Sequence, residues 1–95
     1  MGIKNLLIIV DMQNDFITGV LGSEDAEIAR DNVIKFIKTL DKKDTQIVFT
    51  KDTHDMLIED YLKTEEGRHL PVHHCGLYTK GHEIDENVYK AVSEW

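Results

Sequence analysis

Leu6-Leu7-Ile8-Ile9-Val10 is an unbroken apolar run that stops on Asp11. So short a run, closed by a charged residue, predicts a β-strand buried on both faces. A second run, Ile47-Val48-Phe49, continues through Thr50 and Lys51 to Asp52 and predicts a strand over about 46–51. Between the two, Ala26, Ala29, Val33, Phe36, Ile37 and Leu40 recur at helical spacing and form one apolar stripe. Ser23 is placed to cap that helix, and Glu24, Asp25 and Glu27 suit its positive N-terminal end. The glycines of Thr18-Gly19-Val20-Leu21-Gly22 mark a loop before it, and Asp41-Lys42-Lys43-Asp44 a polar turn after it. Strand, helix, strand predicts a βαβ unit with adjacent parallel strands. Their C-terminal ends then share one sheet edge, where open α/β sheets bind ligands. Asp11 and Asp52 are therefore candidate functional carboxylates.

The pattern is weaker from residue 53 to 82. Met56 to Lys63 predicts a short helix, and Gly67 to Gly81 a long loop around Pro71 and His73-His74-Cys75. Ile84, Val88, Ala91, Val92 and Trp95 then share a helical face, with Asp85 as its cap. Two buried-type strands need neighbours, and two helices do not cover both faces of a sheet. The expected class is thus α/β with a mostly parallel, Rossmann-like sheet. Residues 1–95 are expected to form the front portion of one doubly wound domain.

Composition narrows the function. The formal net charge of −7 and the scattered Lys and Arg residues exclude a phosphate-backbone partner, so no nucleic acid is expected. No apolar run is long enough to span a bilayer and no leader pattern is present, so the cytoplasm is the expected location and no membrane partner is expected. The single cysteine, Cys75, rules out an intramolecular disulfide and reads as a small buried residue.

Asp52-Thr53-His54 puts a carboxylate and an imidazole on one side of an extended segment. One Asp with two His is a common ligand set for a divalent transition metal, and His69, His73 and His74 are the candidates for the second imidazole. Asp15, followed by a turn-like stretch, is the natural loop-capping residue of its segment. A signalling receiver would want paired acids at the end of the first strand, whereas Met12-Gln13 follows Asp11. A paired-aspartate phosphatase would want an acid at position 13, which is Gln.

Three blocks, Val10-Asp11-Met12-Gln13-Asn14-Asp15-Phe16, Thr50-Lys51-Asp52-Thr53-His54 and Leu70-Pro71-Val72-His73-His74-Cys75, together resemble the nicotinamidase and isochorismatase-like cysteine hydrolases. The resemblance runs from about Asn5 to the end of the sequence and implies a three-layer α/β fold. It implies hydrolysis of a small amide such as nicotinamide by an Asp-Lys-Cys triad, with Asp11 as the triad aspartate. It further implies a metal, zinc before manganese or iron, held by Asp52, His54 and His74, with Phe16 lining the substrate pocket. The family's lysine and nucleophilic cysteine have no counterpart here, since Lys80, Lys90 and Cys75 do not match their positions. His82 stands where related sequences often carry Trp. The expectation is a chain inactive by itself that self-associates or joins a complementary chain. The competing reading is a metal-binding or assembly module without catalysis.

Overall fold

The computed structural model describes residues 2–95. Strands β1 (Asn5–Ile9) and β2 (Thr45–Phe49) pair in parallel, from Asn5 opposite Thr45 to Ile9 opposite Phe49. Helix α1 (Asn14–Ile17) follows β1, and α2 (Glu24–Ile37) makes the connection to β2. Two short helices, α3 (Ile58–Tyr61) and α4 (Glu65–His69), a 3-10 turn at Lys80–His82, and α5 (Glu86–Ser93) complete the order. The expected βαβ unit is present. Ser23 caps α2 by accepting from the Ala26 N–H, and Asp85 caps α5 by accepting from Asn87 and Val88.

The core lies between one face of the sheet and helices α2 and α5. Ile9, Ile37 and Val88 are its buried centre, with Leu7, Val33, Ile34, Ile47, Phe49, Ile84, Ala91, Val92 and Trp95 packed around them. Arg30 of α2 reaches the capping carboxylate of Asp85 at 2.9 Å, and the Trp95 indole N–H donates to the Leu40 carbonyl. Two sequence expectations are corrected here. On α2, Ala29 and Phe36 face outward while Arg30 and Ile34 face inward, because α5 lies to one side of the helix and draws that flank into contact. On β1, only Leu7 and Ile9 are covered; Leu6 and Ile8, and Val10 just past the strand, are 58%, 51% and 61% exposed. Both helices pack on the same side, so among the described residues the other side of β1 carries no layer.

That bare side shows in the dimensions. A folded 10.9 kDa monomer has about 5,600 Å² of accessible surface, whereas this chain has 6601 Å². Its radius of gyration is 15.4 Å, against about 12 Å for a compact domain of this length. Among the described residues, no helix is long and apolar enough to cross a membrane.

Beyond β2 the chain stays extended, and His54 forms a parallel bridge with Gly76: its N–H donates to the Cys75 carbonyl and its own carbonyl accepts from Leu77. A second bridge, Gln13 with Ile84, ties the end of β1 to the start of α5. These two bridges hold the 73–84 segment across the C-terminal edge of the sheet.

Candidate metal centre

Asp52 and His54 stand just past the C-terminal end of β2, and the bridge to Gly76 brings His74 alongside them. The fourth member is Glu66. Thr64 caps α4 by accepting from Gly67, and Gly67 lies so close to the Tyr61 carbonyl that a Cβ there would collide with it. That close approach seats α4 against the end of α3, and Glu66, beside Gly67, meets both histidines. One ligand-type atom from each of Asp52, His54, Glu66 and His74 lies within 4.8 Å of all the others. His54 Nε2 is 3.0 Å from Glu66 Oε2; His74 Nε2 is 3.2 Å from Asp52 Oδ2 and 3.6 Å from Glu66 Oε2. Four ligands about 2.0–2.1 Å from a tetrahedral ion sit about 3.3 Å apart.

The histidines are oriented from behind. His54 Nδ1 is 2.9 Å from the His74 carbonyl and His74 Nδ1 is 2.7 Å from the Val72 carbonyl. A carbonyl only accepts, so each Nδ1 donates to its carbonyl and Nε2 is the ring atom turned toward the carboxylates. Metal-binding histidines are commonly oriented in this way, by a carbonyl that accepts from the ring nitrogen facing away from the ion. Two imidazole Nε2 atoms and two carboxylates thus converge, a donor set that a cation at their centre would join. The donor set, of imidazole nitrogen and carboxylate oxygen, suits zinc, manganese or iron. Both imidazoles are buried, while Glu66 lies on the open side. Tyr61 closes the base, its ring edge-on to His54 at 5.1 Å and its hydroxyl donating to the Leu70 carbonyl. Burial first, and Glu66 second, push the Tyr61 phenol above its ordinary range.

Of the three candidates for the second imidazole, the structure brings in His74. His69 is exposed and its Nδ1 is taken by the Glu65 carbonyl. His73 packs edge-on against Tyr61 at 5.4 Å, and its buried Nε2 has no hydrogen-bond partner. Phe16 lies against His74 with ring centroids 5.4 Å apart, at the wall of the cluster. Asp11 stands outside the donor set, at the end of the neighbouring strand. Its φ is 52°, and it forms a closed pair with Thr50: the Asp11 N–H donates to Thr50 Oγ1 at 3.0 Å, and the Thr50 hydroxyl donates to Asp11 Oδ1 at 2.7 Å. Sequence reasoning missed Glu66, which has no spacing relation to the Asp-x-His element.

The Isochorismatase domain family matches residues 5–95. The chain belongs to that family. Comparison with curated proteins and with solved structures gives no match. Isochorismatase-family membership makes the chain a member of a hydrolase-type α/β fold, in keeping with the parallel pair and its connecting helix. The one cysteine of this isochorismatase-family chain is no nucleophile. Cys75 is fully buried, and its thiol is pushed up to about 12, by burial first and then by the carboxylates of Asp15, Asp52 and Asp11. Reactive thiols sit in electropositive, accessible surroundings.

Proposed function

We propose that this isochorismatase-family chain carries the metal-binding and proton-transfer half of a nicotinamidase-type amidohydrolase, whose reaction turns an amide and water into a carboxylic acid and ammonia. The observation that carries the reading is the convergence of Asp52, His54, Glu66 and His74 beside Asp11 at one sheet edge. These four side chains would hold zinc, or manganese or iron, in the arrangement the nicotinamidase likeness implies, with Glu66 added. When bound, the metal supplies a Lewis-acidic anchor for a ring nitrogen of the substrate. Asp11, steadied by Thr50, takes a proton from the attacking thiol and later returns it to the departing ammonia. Phe16 gives the aromatic ring of a substrate such as nicotinamide an apolar wall beside His74.

The thiol and the ammonium that lowers its pKa are not among these residues, since Cys75 is sealed and protonated. Amide attack needs an activated nucleophile and oxyanion donors, so the chain alone is inactive. Turnover requires a second chain or segment that brings a lysine and an accessible cysteine. A metal-binding module without catalysis is the alternative, favoured by the burial of Cys75.

The test combines metal analysis with an ammonia-release assay. The wild-type chain retains one zinc per chain after dialysis, His54→Ala loses it, and neither releases ammonia from nicotinamide. Equal metal in both proteins would remove the metal assignment. In a complex with a second chain that supplies the lysine and the accessible cysteine, turnover that is the same with Asp11→Asn as with wild type would remove the proposed proton path.

A further inference from the structure

Gln13 and Asp15 contribute no atom to the four-residue cluster, yet they reach both segments that carry it. The Gln13 side chain is fully buried. Its Nε2 donates to the carbonyls of Asp52 and His82, each at 2.8 Å, and its Oε1 accepts from the Asp52 N–H at 2.8 Å. One amide therefore grips the N–H and the C=O of the same residue, as a neighbouring strand would. Only an amide does both: a carboxylate lacks the donors and an apolar side chain lacks everything. Asp15 Oδ2 accepts from the Cys75 N–H at 2.8 Å, immediately after His74. Cys75 has a φ of 51°, a conformation that side-chain-bearing residues adopt only when held there. The Asp15 carboxylate also lies directly over Gly81, where a Cβ would displace it.

We infer that Gln13 and Asp15 are positioning residues for the metal centre, Gln13 fixing the backbone of Asp52 and Asp15 fixing the turn that presents His74. The inference rests on the reading that Asp52, His54, Glu66 and His74 hold a metal. It adds that the geometry of that site is set from the segment that enters the first helix, Gln13 to Asp15, rather than by the loops that bear the ligands. The two side chains act on different ligands, so their losses are distinguishable. Gln13 acts on a carboxylate oxygen through the peptide units that carry it. Asp15 acts on an imidazole through the turn that follows it.

The probe is cobalt(II), titrated into the full chain and into Gln13→Met, Gln13→Glu, Asp15→Ala and Asp15→Asn, with chelator competition for affinity and the visible ligand-field bands for geometry. Far-UV circular dichroism of each metal-free variant controls for folding. Gln13→Met, Gln13→Glu and Asp15→Ala should bind cobalt about 10–100-fold more weakly, with shifted bands, as happens when the groups that orient metal ligands are removed. Asp15→Asn keeps an oxygen acceptor for the Cys75 N–H and should hold affinity and bands close to wild type. Unchanged affinity and bands in a folded Gln13→Met or Asp15→Ala overturn the inference while leaving the metal site standing. Equal losses in Asp15→Asn and Asp15→Ala overturn it as well, because a role in the fold alone would explain them. A wild-type chain that takes no cobalt overturns the metal reading and this inference with it.

Discussion

Zinc should raise the melting temperature of this chain, by an amount that reports the ligand set residue by residue. A ligand that binds only the folded state adds RT ln(1 + [L]/Kd), or about 2.7 kcal/mol when free zinc stands 100-fold above Kd. For a domain of this size each kcal/mol moves the midpoint by about 4–8 °C, so the wild-type shift is about 11–22 °C. His74 is buried, its Nδ1 is taken by the Val72 carbonyl and its Nε2 is 3.2 Å from Asp52. If His74→Ala weakens binding about 100-fold, the same zinc supplies about 0.4 kcal/mol and the shift falls to about 2–3 °C. Glu66 sits on the open side with its side chain 49% exposed, where water can replace its oxygen. A tenfold loss in Glu66→Gln leaves about 1.4 kcal/mol and a shift of about 6–11 °C. The assay is a thermal melt followed by circular dichroism at fixed free zinc, with a chelator blank for each protein. Equal zinc-dependent shifts in wild type and His74→Ala would refute the reasoning, and so would a loss at Glu66 larger than at His74.

Arg30→Ala removes the 2.9 Å partner of the Asp85 carboxylate, which keeps its two cap hydrogen bonds, so urea unfolding should show a loss of about 1.5–3 kcal/mol, larger than for any exposed charge on the same helix. The Cys75 thiol should resist alkylation at pH 8 until denaturant is added. Its folded pKa of about 12 lies above the 9.0 of a free thiol, so the stability it contributes is complete below pH 9 and is lost as pH rises toward 12. Tyr61, raised chiefly by burial, adds a loss on the same alkaline side, and a pH series of unfolding curves checks both. The surface exceeds that of a compact monomer by about 1,000 Å², similar to one partner's share of a standard interface, so the chain should self-associate in sedimentation. Ile8→Lys on the bare side of β1 should return it toward monomer, and a compact wild-type monomer would count against the argument.

The elements legible in the sequence are those whose signals are local. The apolar runs ending at Asp11 and Asp52, the helical spacing around Val33 and Ile37, and the caps at Ser23 and Asp85 each depend on neighbours a few residues away. The expectation failed where burial is decided at a distance. Ala29, Phe36, Arg30 and Ile34 exchange places because α5, more than fifty residues later, packs on one flank of α2. Leu6, Ile8 and Val10 are as apolar as buried residues, and composition alone does not reveal that nothing covers them. At the site, Asp52 and His54 were visible from their i, i+2 relation in an extended segment. The choice among His69, His73 and His74 needed the bridge between His54 and Gly76, a tertiary contact. Glu66 enters through a one-turn helix and the missing side chain of Gly67, neither of which has a periodic signature. Helices α1 and α4, of four and five residues, are too short to show a period.

The uncovered side of β1 also leaves its hydrophobic pattern without power to choose a register. Where one face of a strand is polar, slipping by one residue exposes the whole apolar set and is forbidden. Here such a slip would exchange Leu7 and Ile9 for Leu6 and Ile8 against α2, one branched aliphatic pair for another. Alignment must therefore be enforced by polar contacts at the strand ends. The Lys4 and Asn5 N–H groups meet the Asp44 carbonyl at one end; the Asp11–Thr50 pair and the grip of Gln13 on Asp52 close the other. A misaligned sheet would lose little apolar burial but would break the Asp11–Thr50 pair and draw Gln13 away from Asp52. Correct pairing of the strands and correct assembly of the centre thus become a single event, gated by the same few side chains.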